Sequence, residues 1–222
     1  VGTACAQCAK YSATSSNLAA LTLHISRMLR DLQSDLENYN NNNENNGESN
    51  KHRITIIGKA RATCGALNLL RLLSHETIVQ ACDCARAQGQ RNTSATNQEG
   101  LNYYSEQSTA GSDTNYLLKE SFTYRSRQSS GSGDQENDAA VQIISSIMLF
   151  LSTVGSSSIN TSEIISIPEI YDVIVQTLSL LLVLLSTQLY QPMVSSAEAA
   201  ESEIPHANFF LDKFMEYSSW QR

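Results

Sequence analysis

Between Arg127 and Lys213 the chain contains no lysine or arginine, and over its whole length it has three prolines and one tryptophan. Acidic residues outnumber basic ones by 22 to 15, for a net charge of -7. This excludes a general nucleic-acid binder, which carries a basic footprint. Five cysteines are an odd number, and too few in 222 residues for a disulfide scaffold, so a reducing compartment such as the cytosol is expected. In that setting the sequons at Asn92 and Asn160 are chance matches. No basic stretch followed by an apolar run opens the chain, as a signal peptide requires. The chain begins at Val1 and stops at Arg222, straight after an aromatic segment, and reads as a piece of a longer protein. Period-2 runs are nearly absent, and Asn46-Gly47 lies in a polar tract rather than between apolar strands.

Catalytic signatures are missing too. Gly58-Lys59 lacks the earlier glycine of a phosphate loop, because position 53 is Arg. There is no GxSxG elbow, HExxH or paired-carboxylate arrangement. Cys5 with Cys8 and Cys82 with Cys84 raise the question of zinc, which wants four convergent ligands. On a helix, however, two side chains at CxC spacing diverge by about 200°. Small buried hydrophobes explain these cysteines better, although a zinc-dependent regulatory module stays open as an alternative. His75 reads as a first-turn surface residue. His24 has no acidic or cysteine neighbour at helical spacing and reads as a packed or surface histidine. No catalytic, cofactor-binding or metal-ligating residue is therefore assigned. Neither a cofactor nor a small-molecule substrate is expected, and the chain is not expected to be an enzyme.

What is present is helical periodicity. Leu18, Leu21, Ile25, Met28, Leu32 and Leu36 recur every three or four residues, after a cap at Ser16 or Asn17. An asparagine-rich tract, residues 38–50, has nothing to bury and reads as a disordered loop insertion. A second helix is expected over about 52–73. A third, shorter one begins at Ser74 and runs through Ile78, Val79, Cys82 and Ala85. From 88 to 137 the composition shifts to Ser, Asn, Gln, Gly and Thr, as in a low-complexity disordered linker. Within it, Tyr116 to Tyr124 has enough apolar residues for a short helix or docking motif. A fourth helix carries Val141, Ile144, Met148 and Leu151, with Asp134, Glu136 and Asp138 at its positive end. The last helical pattern, Ile204 to Trp220, places Phe209, Phe210, Phe214, Met215 and Tyr217 at helical spacing.

The organising stretch is Ile167 to Met193, uncharged between Asp172 and Glu198. Pro168 suits its first turn, Ser166 with Glu169 fits a capping box, and Pro192 closes it. About 20 largely apolar residues suffice to cross a bilayer, so a membrane span competes with a buried central helix. Asp172, Gln176, Ser179, Ser186 and Tyr190 fall on one face, and Ile170, Val173, Ile174, Leu178, Leu181, Leu184, Leu185 and Leu189 on the other. In lipid the polar stripe needs partners, and no Lys or Arg flanks the stretch to anchor it. A packed helix in a soluble array is therefore favoured over a span at about 170–190. The fold class that follows is all-α: antiparallel helices stacked as an armadillo/HEAT-like solenoid with two disordered insertions. The expected organisation is a first helical part over 1–87, the linker at 88–137, and a second helical part over 138–222.

Four blocks, in this order, resemble the dymeclin family: NLAALTLHISRMLRDL from Asn17, the helix from His52 to Ser74, VQIISSIMLFLS at Val141, and IYDVIVQTLSLLLVLLSTQLYQ at Ile170. HANFFLDKFM from His206 looks like that family's following helix. The NLAAL and LSTQL blocks carry most of the weight, and the Asn-rich tract and the Ser/Gln linker depart from the family core as insertions. The resemblance covers about half of the chain and corresponds to an N-terminal part of the family's full protein. It implies an α-helical, cytoplasmic, Golgi-associated peripheral membrane protein that serves Golgi organisation and vesicle trafficking. Its implied partners are trafficking or Golgi proteins. It brings no catalytic site to carry over. Myristate at an N-terminal glycine is associated with the family, but the relevant glycine is not in this chain. An integral membrane subunit and an unrelated armadillo-like binding scaffold are the alternatives.

Overall fold

The computed structural model describes residues 2–41, 48–95, 110–124, 137–155, 167–190 and 208–219. Its elements are α1 (Gly2–Lys10), α2 (Ser12–Ser15), α3 (Asn17–Asn41), α4 (Glu48–Ala95), α5 (Ala110–Phe122), β1 (Thr123–Tyr124), β2 (Asn137–Asp138), α6 (Ala139–Gly155), α7 (Pro168–Leu185), a 3₁₀ turn (Thr187–Tyr190) and α8 (Phe209–Ser219). The fold is all-α. The only strand pairing among the described residues is a two-residue antiparallel bridge, Thr123 to Asp138 and Tyr124 to Asn137.

α3 forms where its periodicity predicts, with Leu18, Ile25, Leu32 and Leu36 buried, while Leu21 and Met28 are half-buried and Leu29 is buried as well. Its interior also holds Thr22 and Ser26, whose hydroxyls donate to the carbonyls of Leu18 and Thr22, four residues back. The same device satisfies Thr63, Thr77, Ser146 and Thr177. It explains how a chain rich in Ser and Thr packs helices closely without leaving these donors orphaned.

α4 departs from expectation. A helix ending at 73 and another starting at Ser74 are replaced by one helix of 48 residues, about 72 Å long at 1.5 Å per residue. No Pro or Gly interrupts the chain between 66 and 88. The buried stripe runs in phase through Leu67, Leu70, Ser74, Thr77, Ile78 and Ala81, so nothing ends the helix at residue 73. The helix also begins at Glu48, and α3 extends to Asn41. The described parts of the asparagine-rich tract, 38–41 and 48–50, are therefore helical. Residues 42–47 lie outside the described residues.

The stretch 88–137, expected to be a linker, also supplies structure. Residues 88–95 complete α4, and α5 with β1 occupies 110–124. Leu118 and Phe122 of α5 are buried in the main core. Phe122 meets Phe210 of α8 edge-on, with centroids 5.0 Å apart and planes at 89°. Averaged composition hides this pattern, because Leu118, Ser121 and Phe122 form one short buried stripe within a polar background. Residues 96–109 and 125–136 are not among those described.

α6 is capped by Asp138, whose Oδ1 accepts from the amides of Ala140 (3.0 Å) and Val141 (3.2 Å). Asp134 and Glu136 lie outside the described residues. At α7, Pro168 takes the first helical position as predicted, but the residue before it is Ile167, which makes no side-chain cap bond. Ser166, the other half of the expected capping box, is not described, and Glu169 is engaged elsewhere. Pro192 also lies outside the described residues.

Contacts between helices fix their relative sense. Between α3 and α4 the numbers run against each other: Asp35 pairs with Lys59, and Tyr39 stacks on His52. Between α3 and α6 they rise together, since Arg30 donates to Gln142 and Thr153 to Glu37. They also rise together between α4 and α7.

Candidate functional surface

No catalytic constellation gathers among the described residues, nor does any group of three His, Cys, Asp or Glu that could hold a metal. Cys82 is buried while Cys84 is exposed, as their 200° divergence requires. Cys5 is half-buried and Cys8 exposed. Cys64, half-buried, faces the α7 side of α4. Burial pushes its thiol above the usual value, and the Asp172 carboxylate adds to the rise. His24 is exposed and His75 half-buried. Gly58 and Lys59 lie within α4, where Lys59 pairs with Asp35 rather than serving a phosphate loop.

The most extensive helix pairing among the described residues is that of α4 with α7. Arg61 donates to Glu169 Oε1 at 2.7 Å, an offset of 108 residues. Asp172 acts on Cys64 at the same offset, so the two helices are parallel and in register. Hydrogen bonding from Arg61 holds the Glu169 carboxyl below the usual carboxylate range, with Arg53 adding to the effect. Further along α4, Arg71 donates to Asn68 at 2.9 Å. Arg71 Nε and Gln176 Oε1 are buried and have no hydrogen-bond partner among the described residues. A polar seam thus runs between the two helices, carrying Asp172, which is exposed, and Gln176, which is half-buried, from the polar stripe of α7.

α7 buries Ile170, Val173, Thr177, Leu180 and Leu184, a stripe of alternating spacings of 3 and 4 that packs against its neighbours. The apolar side expected from sequence is only partly covered. Leu178 is 44% exposed and Leu189 81%, while Thr177 and Leu180 take the interior instead. The outward face of α7 carries Tyr171, Val175, Leu178 and Leu182, the last 70% exposed. The physical reason is that this helix is apolar nearly all round, so hydropathy alone does not reveal which stripe packs inward. By length and composition α7 is the one described helix able to cross a membrane, with 28% of its residues buried.

Asn208 is a feature that sequence reasoning missed. It is buried, caps α8 through Oδ1 to the amides of Phe210 and Leu211 (3.1 Å each), and donates from Nδ2 to the Leu185 carbonyl at 2.8 Å. An Asn just ahead of the Phe209-Phe210 pair was the available signal.

Comparison with curated proteins and with solved structures gives no significant match. The family described as "Dymeclin: Dyggve-Melchior-Clausen syndrome protein" matches residues 1–222, the whole chain, and the chain belongs to the dymeclin family.

Proposed function

We propose that the chain is a non-enzymatic, cytoplasmic scaffold that associates peripherally with the Golgi and works in Golgi organisation and vesicle trafficking. Membership of the dymeclin family over the whole chain carries this reading, since the family suggests a Golgi-related, non-enzymatic role. Its partners on this reading are trafficking or Golgi proteins, and membrane contact is peripheral. The helix senses support a solenoid-like build. The hairpin of α3 and α4 and the pair of α6 and α7 sit with α3 beside α6 and α4 beside α7, like with like, as in stacked two-helix repeats. Such stacking leaves an extended face for partners.

A second reading, a single span over about 170–190, draws on the length and apolar composition of α7. Against it stand the Arg61–Glu169 pair and the polar seam beside α4, which in hydrocarbon would be costly. The functional test is depletion of the protein in cells, with rescue by the intact chain. The proposal expects dispersed Golgi cisternae and slowed cargo secretion, both restored on rescue. An unaltered Golgi with normal secretion contradicts it.

A further inference from the structure

The outward face of α4 is a second helix-packing stripe that nothing among the described residues covers. Ile54, Gly58, Ala62, Gly65, Leu69 and Leu72 follow one another at spacings of 4, 4, 3, 4 and 3, and all are exposed, Ile54 at 71%. A Cβ placed on Gly58 or Gly65 would meet nothing within 4 Å, so another backbone can come close there. The stripe lies roughly a quarter turn from the polar seam with α7 at 100° per residue. The outward stripe of α7 lies about a third of a turn from the same seam in the opposite sense. Because the two helices are parallel, both stripes look to the same side of the molecule, flanking the seam that carries the exposed Arg61, Asn68 and Asp172.

We infer that this face pairs with the same face of a second copy of this chain, across a two-fold axis that sets α4 antiparallel to its partner's α4. Self-complementarity carries the argument. After Ile54 at its N-terminal end, the stripe runs from small residues (Gly58, Ala62, Gly65) to large ones (Leu69, Leu72). With the axis at the level of residue 67, Gly65 of one copy faces Leu69 of the other, Ala62 faces Leu72, and Gly58 leaves room for Glu76. Charge follows the same rule, since Lys51 at one end meets Asp83 at the other. The register of Arg61 with Glu169 puts Val175 of α7 at that same level. The α7 stripes then meet about the same axis, which a closed dimer requires. The α4 stripe from 51 to 83 is about 48 Å long, and with α7 beside it the face offers on the order of 700–800 Å² per copy. A standard specific interface needs about 800 Å² per partner.

The test is sedimentation equilibrium of the intact chain and five variants, with circular dichroism to check helix content. The intact chain, 24.4 kDa, should form a dimer of twice that mass in the micromolar range. Leu69→Glu on α4 and, independently, Leu182→Glu on α7 should each weaken it by ~10-fold or more while keeping full helix content. Lys51→Glu and Asp83→Lys should each weaken it several-fold, by ~3-fold or more, and their combination should restore most of the affinity. A chain that stays monomeric at 100 μM, on the order of a hundred times the concentration a specific interface needs, overturns the inference. So does an open series of larger oligomers, a dimer indifferent to both glutamate variants, or a charge swap that fails to rescue. Binding of the monomer to liposomes or to a foreign helix through this face would assign it to another partner and likewise overturn it.

Discussion

The Asn208 side chain joins two helices at once: its Nδ2 donates to the Leu185 carbonyl at the end of α7, and its Oδ1 caps the first turn of α8. Because the residue is 2% exposed, every lost bond leaves a buried group without water to replace it. Asn208→Ala should cost about 2–4 kcal/mol, summing a lost cap and an unpaired buried carbonyl. Asn208→Asp keeps the cap but sets a carboxylate against the Leu185 carbonyl at the negative end of α7. It should therefore also destabilise, by about 1–3 kcal/mol. Urea unfolding followed by circular dichroism checks both. A loss below about 0.5 kcal/mol in the alanine variant, the range of an ordinary surface change, would show that the tie does not operate.

Ser74 presents the opposite case. It is fully buried in mid-helix, and its hydroxyl has no partner among the described residues, unlike Thr77, which donates to the Leu73 carbonyl. Ser74→Ala removes an unsatisfied polar atom and improves helix propensity. The expected result is a gain of about 0.5–1.5 kcal/mol, read as a raised thermal midpoint. A clear loss of stability would mean that the hydroxyl is paired after all.

How much of this was legible in the sequence depends on the kind of signal. The α3 stripe was readable because its apolar residues alternate with charged ones, as was Pro168 at the start of α7, because proline has few permitted places in a helix. The continuity of α4 through Ser74 was missed because Ser followed by Thr77 mimics a helix start. Only the unbroken phase of buried residues beyond it decides the matter. α5 was obscured by its surroundings, a short buried stripe diluted by polar sequence. On α7 the inward stripe was only partly placed, since a helix apolar on most sides offers no contrast; Ile170, Val173, Thr177, Leu180 and Leu184 are the side that its neighbours bury.

The Glu169 carboxyl titrates below the usual range because Arg61 bonds its charged form. A depressed folded-state pKa stabilises the fold above the unfolded value, and that contribution disappears as pH falls through the folded one. Carbon-detected NMR titration should find Glu169 below the usual glutamate value in the intact chain and back near it in Arg61→Gln. An unchanged titration in that variant would break the assignment. Because the pair is exposed to solvent, the accompanying change in overall stability should be slight.

Thiol reactivity gives an independent check on the helix faces. Cys8 and Cys84 are exposed, Cys82 is buried, and Cys64 is half-buried with its thiol held neutral by burial and by Asp172. Under native conditions at pH 7.5 an alkylating reagent should label Cys8 and Cys84 first, Cys64 slowly and Cys82 last, since the thiolate is the reactive form. Asp172→Asn should speed Cys64 alone. Peptide mass spectrometry over a time course reads the order, and rapid labelling of Cys82 would mean that α4 is rotated from the orientation described.

The central claim is that α7 packs by its Ile170–Leu184 stripe against α4 and its neighbours and does not cross a bilayer. Alkaline carbonate extraction of cell membranes tests this most directly. A chain held peripherally should be recovered in the supernatant, as should a Leu178→Gln, Leu182→Gln double variant. Retention of the intact chain in the pellet, with the 170–190 segment sheltered from protease, would contradict it.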